Sequence, residues 1–211
     1  MPGAGILFTC IYKERLYFLL GRENKYCVNG KYTFCDFGGG VDPNETYIET
    51  AARECSEEMR GFLGNYHDLL SLLKRINPYY VDNRDYRIYI IPIPYLSYLP
   101  IIYNNNSLLT SEYFKKSLLS TSKILEKDKM IWYSIDGQDK VPLRKFFKES
   151  MKKIQNEKKE IMNYVRSHLP QTIHYFHKYI TCDKHNKNVS KTKKRNNYTS
   201  RKVRKTQKRR N

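Results

Sequence analysis

The stretch Gly38-Gly39-Gly40-Val41-Asp42-Pro43-Asn44-Glu45, followed after seven residues by Arg53-Glu54-Cys55-Ser56-Glu57-Glu58, decides how this chain is read. The glycines and Asp42-Pro43-Asn44 punctuate so strongly that a strand over Tyr32 to Phe37 must stop there and a loop must follow. Thr46 with Glu49 three residues on is a capping box, hydroxyl and carboxylate each satisfying an orphan backbone donor, so the loop opens into a helix. Ile48, Ala51, Ala52, Cys55 and Met59 recur at helical spacing and form one narrow apolar stripe. Glu54, Glu57 and Glu58 fall together on a different face, and Gly61 and Gly64 end the helix.

Three carboxylates on roughly a 100° arc of one helix repel each other by a few tenths of a kcal/mol per pair. A bound cation reverses the sign. Hard divalent ions take oxygen ligands and share them among carboxylates, water and substrate phosphates, so the pattern points to a phosphate substrate. A glycine-rich strand end lets backbone approach a ligand closely. Taken singly, each feature has a plain reading: a Glu-rich helix face is usually solvated, and a Gly-rich turn is usually a turn.

Together with Glu45 and Arg53 they fit a fixed spacing, Gly-x5-Glu-x7-Arg-Glu-U-x-Glu-Glu with U apolar, beginning at Gly39. Six fixed residues at those spacings arise by chance in a chain of this size on the order of once in 10⁵ to 10⁶. The segment 39–61 resembles the signature of the Nudix hydrolase family. It departs at one place, because the family continues x-Gly-U after the last glutamate, whereas Met59 is followed here by Arg60 and the glycine comes at Gly61. The helix exit is therefore expected to be shaped differently, with no charged position lost.

The resemblance implies an α/β fold, the α/β/α sandwich of the family with a mixed sheet. It implies that Glu54, Glu57 and Glu58 ligate two or more Mg²⁺ or Mn²⁺ ions, with the backbone carbonyl of Gly38 as a further ligand. Gly39, Glu45 and Arg53 would support that site, and catalysis would fall to Glu57 and Glu58. The general base comes in this family either from the signature helix or from a later loop, where Glu126 is the candidate. The implied reaction is hydrolysis of a nucleoside diphosphate linked to another group.

Outward from the signature, Gly5 to Tyr12 and Arg15 to Gly21 are apolar runs joined by Lys13-Glu14, a hairpin spacing. Tyr86 to Tyr95 reads as a strand, the Pro- and Asn-rich segment through Asn106 as loop, and Met130 to Ile135 as another strand. After Pro142 the apolar positions from Leu143 to Leu169 keep a helical period up to Pro170, one long amphipathic helix. The expected organisation is a core over 1–141, a C-terminal helical segment over 142–180 packed on it, and a disordered polybasic tail over 181–211.

Net charge is +18, and residues 181–211 hold 13 Lys/Arg against one acid, a net of +12 that leaves +6 on the first 180 residues. Lys193, Lys194, Arg195, Arg201, Lys202, Arg204, Lys205, Lys208, Arg209 and Arg210 suit phosphate backbones through counterion release, or nuclear import. Only Tyr198 interrupts them as an aromatic, so contact with nucleic acid there would be independent of base sequence. Within the family such a tail fits a substrate carrying a long polyanion, the 5′ cap of messenger RNA. Free nucleotides, dinucleoside polyphosphates and inositol pyrophosphates are the alternative substrates, and a non-catalytic RNA-binding module is the alternative class.

The longest apolar stretch, around Ile90 to Tyr103, is broken by three prolines and too short for a bilayer, and no signal peptide frames the N-terminus. An intracellular protein, cytoplasmic or nuclear and not secreted, is expected. Five cysteines without a CxxC pair read as free thiols. His174, His177, Cys182 and His185 offer four zinc-type ligands in a spacing that is not a standard finger; the alternative is partly buried histidines beside Tyr175 and Phe176.

Overall fold

The computed structural model describes residues 2–24, 32–115, 117–118, 125–137 and 140–180. The basic run from Lys193 to Arg210 lies outside them, as do Cys182 and His185 of the expected histidine and cysteine group. Residues 1–177 form one compact unit.

The centre of the sheet is β1 (Gly3–Tyr12), buried over its first eight residues, as a near-continuous apolar run must be when both faces are covered. It pairs antiparallel with β2 (Arg15–Glu23) through the expected hairpin, Lys13 and Glu14 at the turn both taking positive φ. Its other neighbour is β6 (Tyr86–Pro92), parallel and in register from Gly3 opposite Tyr86 to Thr9 opposite Pro92. The short β3 (Phe34–Cys35) joins β2, β5 (Tyr79–Asn83) joins β6, and β7 (Lys127–Ser134) also pairs with β2. The sheet is mixed, and helices cover both faces.

One face carries α1 (Tyr47–Glu58) and, packed on it, α2 (Tyr66–Ile76). The other carries α4 (Lys145–Asn156) and α5 (Lys158–Ile180), whose Phe147, Met151, Ile154, Ile161 and Val165 close a core with Leu7, Phe18, Val81 and Ile90. Between β6 and β7 runs α3 (Tyr98–Tyr113). Cys10, Cys35 and Cys55 are free and buried.

Five expectations are corrected. The glycines do not end the sheet: Phe37–Gly40 is a strand, β4, pairing antiparallel with β1 from Gly5 opposite Gly38 to Gly3 opposite Gly40. Backbone ladders need no side chain, and glycine facing glycine lets the two strands pair where a Cβ on Gly38 would stand 2.3 Å from the Cα of Gly5. The segment through Asn106 is not loop but α3. Pro100 falls in the first helical turn, where its missing N–H has no intrahelical partner to lose.

The strand placed at Tyr86 to Tyr95 stops at Pro92. Finally, the single helix expected over 143–169 is two. A straight helix of that length measures about 40 Å, whereas five strands span roughly 20 Å; the break at Glu157, whose carboxylate accepts from the Tyr79 hydroxyl at 2.8 Å, keeps both halves on the sheet. Pro170 does not stop α5. A proline inside a helix costs about 3 kcal/mol, but Tyr175 and Phe176 beyond it are buried, Phe176 edge-on to Phe8 at 5.9 Å, and each such side chain returns about 1.5–3 kcal/mol.

Candidate active site

The site lies where β4 meets α1. The helix starts on the expected capping box: Thr46 Oγ1 accepts from the Glu49 backbone N–H at 3.4 Å, and the Glu49 carboxylate accepts from the Thr46 N–H at 3.0 Å. Ala51, Ala52, Cys55 and Met59 are fully buried against the sheet, which sets the rotation of α1 and turns Glu54 and Glu58 toward β4. Gly39 is the floor beneath Glu54: a Cβ there would stand 2.4 Å from the Glu54 carboxyl carbon.

Arg53 ties the loop to the helix. Its Nε and Nη2 meet the two oxygens of Glu45 at 2.8 and 3.0 Å, a bidentate pair, while Nη2 also donates to the Gly40 carbonyl at 3.0 Å. Nη1 donates to Glu54 at 2.8 Å and lies 3.8 Å from Glu57. The guanidinium beside Glu45 holds that carboxyl down at about 2. A depressed carboxyl contributes stability that is present above its ordinary value of 4.5 and is lost as pH falls toward 2. The gap in unfolding free energy between the parent and Glu45→Gln, read by urea titration, is therefore expected to shrink between pH 5 and pH 2.5; a constant gap would detach Glu45 from Arg53.

Glu58 sits deeper. Its Oε2 accepts from the Gly38 N–H at 2.9 Å and its Oε1 lies 3.3 Å from the ammonium of Lys127. Burial pushes its carboxyl up to about 8; Lys127 opposes the rise, while Glu126, Asp36 and Glu54 add to it. The opening of β7 thus brings Glu126 into the same field. Lys127 itself is buried and donates to Cys35 Sγ at 2.9 Å, with the Cys35 thiol pushed up to about 12 by burial. Asp36, between β3 and β4, is raised to about 6 by burial; its Oδ2 accepts from the Tyr86 hydroxyl at 3.0 Å, and its Oδ1 is buried without a hydrogen-bond partner.

The structure therefore places Glu58 on the Gly38 backbone and Glu54 over Gly39, with Glu126 in the field of Glu58 and with Glu45 and Arg53 behind them. Glu57 lies on the exposed side of α1, its side chain 51% accessible and 3.8 Å from Arg53. Among the described residues no three carboxylates, histidines or cysteines converge on one point, since Arg53 and Lys127 hold Glu54 and Glu58. The donor set nonetheless suits a hard cation: it is all oxygen, two of its carboxylates are buried, and one of those, Glu58, is driven upward by burial, with its like-charged neighbours adding to the rise.

Sequence reasoning missed Lys127, Asp36 and Tyr103. Tyr103 is fully buried in α3, its hydroxyl donating to the Glu58 carbonyl at 2.7 Å with the Lys127 carbonyl at 3.0 Å. At the helix exit Arg60 takes φ +51 and Gly61 φ +72. A left-handed non-glycine residue costs about 1–2 kcal/mol; against that, the Arg60 guanidinium lies 4.2 Å over the Tyr103 ring and donates to Ser107 at 2.6 Å.

Beside Gly38–Gly40, on the side of α4, opens a cavity of about 670 Å³. Tyr86 and Phe146 stand in its wall with rings 5.1 Å apart, together with Arg84, Arg144, Lys145 and the carboxylates of Asp85 and Glu149. Asn83 anchors α4 at this edge by donating to the Phe146 carbonyl at 3.2 Å and to Ser150 at 3.1 Å. No helix among the described residues is long and apolar enough to cross a membrane.

Among solved structures the chain is similar to a Nudix hydrolase from M. smegmatis, RenU, at 14% identity over 76% of this chain and 88% of that one, TM-score 0.43. It is also similar to a mutT/nudix family protein from Listeria innocua, at 16% identity over 76% and 96%, TM-score 0.40. A third is the NUDIX domain of Shewanella oneidensis NrtR complexed with ADP ribose, at 11% identity over 74% and 87%, TM-score 0.42. No curated protein matches the chain. The NUDIX domain family model matches residues 1–110, more than half of the chain and the whole of the glycine strand and signature helix, and the chain belongs to that family of phosphoanhydride hydrolases.

Proposed function

We propose that the chain hydrolyses a nucleoside diphosphate linked to another group, with Glu54, Glu57, Glu58 and the Gly38 carbonyl holding divalent metal, and that its substrate is the 5′ cap of messenger RNA. Mg²⁺ or Mn²⁺ supplies polarisation of the anhydride and a bound water of lowered pKa. Arg53 keeps Glu45 and Glu54 in place, so the ligands are set before substrate arrives. Lys127 holds charge beside Glu58 and Cys35. Glu126, in the field of Glu58, takes the proton from the water that attacks phosphorus. In this reading residues 1–141 form the hydrolase core, 142–180 close the substrate side, and the basic run Lys193 to Arg210 holds the RNA body.

The cavity beside Gly38–Gly40 carries the choice of substrate. A methylated guanine bears positive charge, which favours an aromatic face such as Phe146, and its N–H edge suits carboxylates such as Asp85 and Glu149. Arg84, Arg144 and Lys145 suit the phosphates that follow. The test is release of the cap nucleotide from cap-labelled RNA with Mn²⁺ or Mg²⁺, by the parent and by Phe146→Ala. Release by the parent, with a raised KM in Phe146→Ala, supports decapping. Activity on small nucleotides, dinucleoside polyphosphates or inositol pyrophosphates but not on capped RNA overturns it. A chain ending at Ile180 is expected to lose activity on long RNA in a salt-sensitive manner while keeping it on small nucleotides; equal activity on RNA would sink the role given to the tail.

A further inference from the structure

Among the described residues the outer face of α3 is mostly apolar and uncovered, with Asn105 and Glu112 the polar residues exposed on it. Tyr98, Ile101, Ile102, Leu108, Leu109 and Tyr113 are between 41% and 83% exposed. At 100° per residue these six fall on one side of the helix, opposite the buried Leu99, Tyr103 and Ser107. Half-exposed side chains of this size present on the order of 100 Å² each, so the face offers about 600 Å² or more, above the few hundred that a monomer ordinarily leaves. With the adjoining Phe114, 42% exposed, it approaches the ~800 Å² that each partner gives to a standard interface.

We infer that this face is the contact through which a second copy of the chain docks, making a two-fold dimer with α3 against α3. Charge selects that occupant. The chain carries +18, and two copies repel wherever their basic surfaces approach. Glu112, near the C-terminal end, is the one charged residue of α3, so here two copies meet with little repulsion and each supplies what the other lacks, an apolar cover. An acidic partner would be drawn instead to the lysines and arginines elsewhere. A two-fold contact uses one patch twice and needs no second complementary surface. The same helix holds Tyr103 against the Glu58 and Lys127 carbonyls, so the contact would stiffen a wall of the active site without entering it.

Sedimentation of the nuclease-treated full chain between about 1 and 100 µM tests this. The expected mass is twice 25.3 kDa at the upper end, unchanged by added salt because the contact is apolar, and Ile102→Glu with Leu109→Glu returns it to 25.3 kDa. A parent that stays at 25.3 kDa throughout, or a dimer that survives both substitutions, overturns the inference. Hydrogen exchange of the parent provides a reading independent of any variant: amides of residues 98–113 gain protection as concentration rises, and protection that ignores concentration overturns it equally.

Discussion

Glu57→Gln is expected to lower hydrolysis on the order of 10³-fold while leaving the fold intact. The substitution keeps the shape of the side chain and removes one anionic oxygen donor. The site of the change is what makes it informative. Glu57 is half exposed and 3.8 Å from Arg53, so its stability cost should stay within about 0.5 kcal/mol. Glu54 and Glu58 cannot offer that separation, because both are buried and hydrogen-bonded and their loss disturbs Arg53, Gly38 or Lys127 as well. Turnover with Mn²⁺ and thermal unfolding of the same sample read the two effects. A variant that unfolds with the parent yet keeps a tenth of its turnover would remove Glu57 from the catalytic group.

The largest effect on stability belongs to Lys127→Met. Lysine is almost never fully buried without a partner, and here the ammonium is enclosed between Glu58 at 3.3 Å and Cys35 at 2.9 Å. Methionine retains the aliphatic stem that packs beside Gly21 and removes the charge alone. At about pH 9, above the value of about 8 to which burial raises Glu58, that carboxylate is then left in the interior without its cation, a loss of about 3–5 kcal/mol. In a unit of this size that lowers the unfolding midpoint by roughly 10 °C, measured with metal chelated so that no other cation substitutes. A drop below about 1 kcal/mol would mean that Glu58 is neutral in the folded chain and that Lys127 contributes little to the fold.

These two residues also mark what was legible from sequence. Glu57 is found by spacing alone: six fixed residues in a short window name the signature, and the capping box and apolar stripe place it on a helix. Lys127 carries no local signal, since its burial depends on β7 pairing with β2 and bringing its side chain under β4. Tyr103 was hidden for a different reason. It lies among prolines and asparagines that read as loop, although Asn104 there binds both the N–H and the carbonyl of Met130 and pins α3 to β7. The helix α2 could have been found, because Leu69, Leu72, Leu73 and Ile76 follow Asn65 at helical spacing with the asparagine as cap.

The glycine strand shows where composition misleads. Gly38–Gly40 reads as a stop only while its partner is unknown, and becomes a strand once Gly3 and Gly5 are seen opposite it. The break at Glu157 and the passage of α5 through Pro170 are likewise tertiary outcomes, decided by sheet width and by the burial of Phe176.

The parallel pairing of β1 with β6 has a consequence in time. The first strand made is central, yet the strand that flanks it on one side is made some eighty residues later. At about 5–20 residues per second of synthesis, that neighbour is missing for roughly 4–16 s. Throughout that interval an apolar strand, Gly3 to Cys10, has one edge with no β6 to pair with, the kind of surface on which nascent chains aggregate. The early hairpin with β2 covers Thr9 to Tyr12 of the other edge within microseconds, and β4 covers Gly3 to Ile6 only once it has been made. Folding of this chain should therefore be slow to complete and sensitive to crowding among nascent copies, with the step that closes the sheet also assembling the floor of the active site.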